Sequence, residues 1–531
     1  MMLFVAAYEL IRSRGFRRFV YRLLNLVSLG NAITSRMLTF YAPGLLLLLT
    51  LSYPFYTHAR SVPDTLNLIE SDNSTSSYSD AVAASIFTST ASNTSTFTSP
   101  ATAAHPTASS TQYDVLNNMC WRFFHQSTIK NGSLYIDGGI QSFLDNGTDR
   151  WAFSGNTTQG YNTRRIKIDL SRQFDWKNYV SRVALNKSAD PDTNNMPPLV
   201  SHATLYSGAP QDSRIWLYGG TTLWWNTEFP GFEGPTTDIY SLWSYDTAAE
   251  RWDQYDVRPE SLMRPSYGLA AEAPELGLGF YFNGQIDSGS SQQTQSLNSY
   301  PKLFLEGMIM INTTSQTAFN ISTDAAVGGL PRTRGGAAYI PGIGGSGILA
   351  VMGGTYKPSA SLDGQEMTSF ANMGNITIFD VGAYLRNNSE QLWYLQNATG
   401  EIPEPRAYFC TVMVSASDSS SHNIYLYSDQ GPNNLVYDDI YVLSIPSFTW
   451  TKVFNGSSPR FGQTCHKVGN QMITVGGKDK VDLAQQLPCD WEEAGIGILN
   501  MSDLRWGSQF LPEDQTGPYS VPGKVQEQIL E

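Results

Sequence analysis

Histidine, cysteine and arginine are the residues of this chain whose types and spacing could carry chemistry. Of six histidines, His58 and His105 stand before residue 113, and His125, His202, His422 and His466 stand far apart from one another. None shares Cys-x-x-Cys or His-x-x-x-His spacing with another, so no metal centre of neighbouring ligands is written in the chain and no cofactor is expected. No Gly-x-Ser-x-Gly elbow or phosphate loop is present, and Gly342-Ile-Gly-Gly-Ser-Gly347 reads as a flexible turn. The arginines are ordered instead. Arg122 and Arg460 each lie sixteen residues before a glycine pair, Gly138-Gly139 and Gly476-Gly477.

Those two segments are the same hairpin written twice. Trp121 to Gly139 reads as a strand, an Asn131-Gly132 turn and a second strand closed by glycines, and Arg460 to Gly477 repeats it. Between them lie four looser copies: Leu205 to Gly220, ending in Ile-Trp-Leu-Tyr-Gly-Gly, Phe280 to Gly284 with Asn283 in the first glycine's place, Ile348 to Gly354, and Ile424 to Gly431, which has lost the pair. Asn283 suits that place because asparagine tolerates positive φ. Each copy is followed by an apolar strand, a polar break and an aromatic, ending at Trp176, Trp252, Phe319, Trp393, Trp450 and Trp506. Six units of about four short strands follow, with no long helical periodicity.

The repeat resembles the kelch motif over about residues 113–512. Leu134-Tyr-Ile-Asp-Gly-Gly139, Tyr437-Asp-Asp-Ile-Tyr-Val-Leu443 with Phe448-Thr-Trp450, and Cys489-Asp-Trp491 with Gly495-Ile-Gly-Ile498 resemble fungal cell-surface kelch-repeat proteins in particular. The resemblance implies an all-β fold, a six-bladed kelch β-propeller, with a seventh blade if the chain before Cys120 supplies strands. It also implies that Arg122, Arg264, Arg332 or Arg334, Arg406 and Arg460 open the innermost strands of five blades, the second blade carrying Leu199 there. Two readings of this ring stand. Guanidinium forks around one channel mouth would bind a carboxylate or sulfate; alternatively they bond carbonyls of neighbouring blades and pack on interblade aromatics. Cys465 and Cys489 fall in one blade on either side of its glycine-pair strand and are expected to be bridged, leaving Cys120 and Cys410 as buried thiols.

Composition and the chain ends set the compartment. The chain has 531 residues, a formal net charge of −13 and only 15% charged residues, an acidic surface that repels phosphate backbones and argues against nucleic acid as partner. Residues 1–36 carry Arg12, Arg14, Arg17, Arg18, Arg22 and Arg36 against the single acid Glu9, and read as a basic cytoplasmic extension, with Met37 as an alternative start; a mitochondrial presequence is the competing reading. Residues 37–60, around Leu45-Leu-Leu-Leu-Leu49, read as a signal peptide or an uncleaved signal anchor, which would tie the protein to a membrane. Residues 61–112 are Ser/Thr-rich and read as a disordered, O-glycosylated stalk. Residues 513–531 read as a disordered tail. Thirteen sequons, Asn73, Asn93, Asn131, Asn146, Asn156, Asn186, Asn312, Asn320, Asn375, Asn387, Asn397, Asn455 and Asn500, compare with about six expected from composition.

The expectation is therefore a non-catalytic binding module of the secretory pathway and cell surface, membrane-anchored or secreted, for an unknown protein or glycan ligand. The runner-up is a secreted copper-dependent carbohydrate or alcohol oxidase of the galactose oxidase type, whose site needs a thioether-linked Cys and Tyr with two histidines. Fungal surface relatives continue beyond a segment resembling Tyr519-Ser-Val-Pro522 into a transmembrane helix, whereas this sequence ends at Glu531.

Overall fold

Alternating strands and tight turns, repeated six times, arrange themselves among the described residues as six blade sheets, five of them four-stranded and antiparallel and one, the fifth, with an added outer strand, Thr399–Gly400, paired in parallel. The computed structural model describes residues 113–145, 148–151, 157–223, 226–235, 242–257, 264–295, 303–327, 330–360, 366–387, 391–479 and 488–530. The basic extension, the apolar segment, the stalk, His58, His105 and the sequons at Asn73, Asn93, Asn146 and Asn156 lie outside them.

The first blade comprises Gln126–Lys130, Ser133–Asp137, Arg165–Asp169 and Arg182–Leu185, from inner to outer edge. The second runs from Ser201–Tyr206 to Arg251–Tyr255, and the third from Leu269–Ala273 to Thr317–Ile321. The fourth runs from Gly336–Ile340 to Trp393–Asn397, the fifth from Cys410–Ser415 to Thr449–Asn455, and the sixth from Thr464–Val468 to Arg505–Gly507. This is an all-β kelch-type propeller. The Asn131-Gly132 turn has positive φ at both residues, 50° and 67°, as a two-residue hairpin of this kind demands.

Burial follows from stacking. Second strands such as Ser133–Asp137, Leu278–Phe282 and Ile348–Met352 are buried along their whole length, because a neighbouring sheet covers each face. The outer strands of the first and third blades are largely exposed or half-buried. The repeat tryptophans lie on these outer edges and reach into the preceding blade. Trp450 Nε1 donates to Met373 O at 3.0 Å, Trp393 Nε1 to Ser322 O at 2.9 Å, and Trp176 Nε1 to Gly507 O at 3.2 Å across the closing seam. Phe319, half exposed, makes no such clip and marks the weakest copy.

The glycine pairs are explained by those seams. The second residue of each pair donates its N–H to the backbone of the next blade: Gly139 to Val200 O (2.9 Å), Gly220 to Pro265 O (2.7 Å), Gly284 to Arg332 O (3.3 Å), Gly354 to Arg406 O (2.8 Å) and Gly477 to Arg122 O (2.7 Å). Both residues of each pair have positive φ, and a Cβ on Gly138 or Gly476 would collide with the carbonyl of Val200 or Arg122. Where the fifth blade lost its pair, Ser428 takes φ 61° at a bulge and its hydroxyl donates to Arg460 O at 2.5 Å, so the seam contact survives through a side chain.

Two expectations are corrected here. Cys465 pairs with Cys410 and Cys489 with Cys120, with Cα separations of 5.6 and 4.4 Å, and no cysteine is free. Cys465 lies on the first strand of its blade, and two strand spacings of about 4.8 Å put a residue near the third strand beyond bridging reach, whereas the facing blade is close. The tail is ordered: Gly523–Leu530 is a helix, with Tyr519 and Val525 buried against the fifth and sixth blades. Val521, Val525 and Ile529, spaced four apart, form the stripe that docks it. No described helix is long and apolar enough to cross a membrane.

Candidate functional site

The arginines do not face an open mouth. Arg122, Arg264, Arg332, Arg406 and Arg460 are all at most 3% exposed. Arg460 holds Asp490 by two bonds of 2.7 and 2.8 Å and touches Glu492 at 3.2 Å; Arg406 holds Asp439 at 2.6 Å and lies over the Tyr437 ring. Arg122 bonds Val115 O and Gln141, Arg264 bonds Ser290 O, and Arg332 bonds the Tyr356 hydroxyl. Burial pulls the Arg122 guanidinium down to about 9, with like charge from Arg182 adding to it, while Asp490 and Glu492 hold Arg460 far up against its own burial cost. The recognition reading of the ring is therefore corrected: these groups tie loops to blades, and their donors are turned inward.

The axis is filled by a different set. Two or three residues after each arginine position come Phe124, Tyr267, Arg334, Tyr408 and Gly462, and His202 completes the six. All six have positive φ, from 55° to 71°. Their backbones form a hydrogen-bonded relay: Phe124 N–H to Gly462 O, His202 to Phe124, Tyr267 to His202, Arg334 to Tyr267 and Tyr408 to Arg334, at 2.7 to 3.2 Å. The side chains close on one another. His202 stacks on Tyr267 at 3.8 Å and meets Phe124 at 4.2 Å, while Phe124 and Tyr408 meet at 5.4 Å. The Arg334 guanidinium lies 4.4 Å over Tyr267 and donates to Tyr408 Oη at 2.7 Å, Thr333 Oγ1 at 2.8 Å and Gln285 Oε1 at 3.3 Å. Gly462 supplies no side chain, and Phe124 occupies its space. From the sequence Arg334 is only an alternate for Arg332; the signal that marks the plug is an aromatic two or three residues after the arginine in three of the five copies that carry one, Phe124, Tyr267 and Tyr408.

Beyond this plug the six inner strands line a cavity of about 480 Å³. Its wall is mostly small: Thr128, Thr204, Ala271, Ala337, Thr411 and Cys465 come one from each blade. Besides the phenols of Tyr206 and Tyr339, four charged or titratable groups give it character, Glu272, Glu275, His466 and Lys467. Glu272 accepts Ser207 N–H at 2.7 Å and Ser207 Oγ–H at 3.0 Å; burial raises its carboxyl to about 7 despite those bonds. His466 Nε2 lies 2.7 Å from Ser127 Oγ, which also contacts Thr464 Oγ1, itself 3.1 Å from His125 Nε2. A serine beside a histidine has the outline of a nucleophile and base. Burial, however, lowers the His466 imidazole to about 4, too weak a base to draw the serine proton at neutral pH, and Ser127 is itself buried. The four described histidines otherwise stay apart: His422 bonds Ser415 at the rim of the fifth blade and His202 sits in the plug. No group of three His, Cys, Asp or Glu side chains is placed to hold a metal among the described residues.

The nine described sequon asparagines are Asn131, Asn186, Asn312, Asn320, Asn375, Asn387, Asn397, Asn455 and Asn500, and none of them is buried.

No family profile matches the chain. A kelch repeat-containing protein of Arthroderma benhamiae is similar to it, 29% identical over 436 residues that make up 74% of this chain and 57% of that protein. The chain thus spans little more than half the length of this curated relative. The solved structure of YjhT aligns over 74% of this chain and 99% of its own, at a TM-score of 0.45 and 12% identity.

Proposed function

We propose that this kelch-type propeller is an exported, non-catalytic binding module that takes a small polar ligand in its central cavity. The observation that carries the reading is the cavity: walled by all six inner strands and closed at one end by the Phe124, His202, Tyr267, Arg334 and Tyr408 plug, it is a blind cup whose polar groups suit hydrogen bonding. Its Ser127 and His466 pair is poorly tuned for acyl or proton transfer, which favours binding over turnover.

Export is supported by two independent features. All four cysteines are paired, a state that oxidising compartments permit, and none of the described sequon asparagines is buried. The same pairing weighs against the copper oxidase alternative, because each cysteine sulfur is already used and none can form the thioether to tyrosine.

Screening purified full-length protein on a glycan array, with Ala271→Trp as the variant that fills the cup, tests binding; loss of a specific glycan signal in a variant of unchanged melting temperature supports the reading. Protease added to intact vesicles should spare the propeller. Stoichiometric copper in purified protein, with alcohol oxidation, would overturn the assignment.

A further inference from the structure

A second cavity, of about 320 Å³, opens at the outer rim between the fifth blade, the sixth and the Trp176 loop of the first. Aromatic faces wall it. Trp491 is 52% exposed and meets Trp176 edge to face at 5.6 Å, while Trp506 packs on Tyr427 at 5.0 Å and on Phe454 at 6.2 Å. An exposed tryptophan held at an angle to a second one is costly surface for a soluble protein to leave open, and it is shaped as two walls of a cage.

The floor is acidic. Asp490 and Glu492 share one guanidinium, that of Arg460, with Asp490 taking both of its strong bonds. Asp438 is held by neutral donors, Ser458 N–H at 2.7 Å and Tyr427 Oη–H at 3.3 Å. The groups lining the cavity are two carboxylates, Asp438 and Glu492, two cations, Arg460 and a Lys177 that lies 5.8 Å over Trp176, and the Tyr427 phenol, while the buried Asp490 sits behind Arg460 as the third carboxylate of the cluster. Negative charge is in excess, and burial together with Asp490 and Asp438 pushes the Glu492 carboxyl up to about 7 against the pull of Arg460. One further cation would relieve that repulsion.

We propose that this rim cavity binds an organic ammonium ion, a quaternary or protonated alkylammonium head seated against Trp491 and Trp506 with Asp438 as counter-ion. The aromatic faces supply cation–π attraction and exclude water, and the carboxylates supply the charge that selects an ammonium over a neutral group of the same shape. A neutral saccharide would stack on the same tryptophans but would leave the charge excess uncompensated.

Titrating the full chain with choline and with its uncharged isostere 3,3-dimethylbutan-1-ol, followed by calorimetry and tryptophan fluorescence, separates these possibilities. Choline should bind saturably at pH 8, the isostere at least about tenfold more weakly. Asp438→Asn and Trp491→Ala should each weaken choline by about tenfold or more without lowering the melting temperature, since Trp491 is exposed and asparagine can still accept the Ser458 N–H through its carbonyl oxygen while its amide nitrogen donates to the Tyr427 hydroxyl oxygen. Glu272→Gln, in the central cup, should leave choline binding unchanged, so failure of the cup reading and failure of this one are distinguishable. Equal binding of the isostere, saturable binding of a chitotriose probe instead of choline, retention of choline by both variants, or no saturable binding would each overturn the proposal.

Discussion

The seam between the sixth and first blades and the seam between the second and third do the same geometric job with different chemistry. At the second and third blades the seam is polar and aromatic: Tyr206 Oη–H donates to Phe280 O at 2.8 Å, Ser207 bonds Glu272, Thr221 bonds Asp287 at 2.6 Å, and Tyr218 meets Tyr281 edge to face at 5.2 Å. At the closing seam the largest apolar cluster joins Phe123, Ile136 and Ile166 to Ile473, Val475 and Ile496, Phe174 stacks on Phe510 at 4.8 Å, and Cys120 is bonded to Cys489. The difference follows from the chain. Neighbouring blades elsewhere are tethered by a short connection, but the closing seam joins residues 369 apart, and none of the six blade sheets mixes strands from both ends. Holding such distant segments together costs loop entropy that hydrogen bonds of about 1 kcal/mol each offset poorly.

The sharpest way to break the comparison is to cut the bridge. Replacing Cys120 and Cys489 with serine removes a loop constraint whose chain-entropy value is roughly 6 kcal/mol, against roughly 4 kcal/mol for Cys410 and Cys465, 55 residues apart. Denaturant unfolding should therefore show the larger loss for the closing pair; equal losses would mean that the closing seam carries no special burden.

Next in size is Asp490→Asn, which removes both strong bonds of the buried Arg460 and leaves it Glu492 as its one carboxylate partner, and should cost about 3 kcal/mol. The same change at Asp439 should cost a similar amount through Arg406, whose guanidinium is equally buried. Arg122→Met should cost less than either, because no carboxylate is left unpaired, and urea midpoints of the three variants test the order.

Glycine replacements should be blind to the seam. Gly477→Ala at the closing seam and Gly220→Ala at the second should each destabilise by about 1–3 kcal/mol, since both have φ above 90° and both donate to the next blade. A marked asymmetry in their melting temperatures would show that the closing seam depends on more than the repeated contact.

The smallest effects are protonic, because Glu272 and His466 both face the water-accessible cup. Glu272, raised to about 7 in the folded state from the usual 4.5, makes the folded protein the better proton binder, so its contribution is full below pH 4.5 and is lost as pH rises through 7. His466, lowered to about 4 from 6.5, acts with opposite sign: stability falls as pH drops from 6.5 through 4. Melting temperature against pH should lose its alkaline decline between pH 5 and 8 in Glu272→Gln and its acid decline in His466→Gln. A profile unchanged by both would show that neither group stays buried in the native state.

Much of this architecture is local and therefore legible in the chain: the Asn131-Gly132 turn, the glycine pairs with Asn283 as a stand-in, the strand alternation and the edge aromatics each report a dihedral or a face that one residue type satisfies. Their register alone makes six blades of four core strands, and only the parallel strand Thr399–Gly400 added to the fifth goes beyond it. What the spacing could not say is where a side chain ends once sheets stack into a ring. The arginines share a sequence position, yet their partners, Asp490, Asp439, Tyr356 and Gln141, come from loops of different length. The cysteine pairing turned on the same point, since the nearest neighbour of an inner strand is the next blade and not the far strand of its own. The plug is the clearest case: Phe124, His202, Tyr267, Arg334 and Tyr408 are separated by dozens of residues, and only closure of the ring brings six left-handed backbone positions to one axis, where their chemistry becomes a single object.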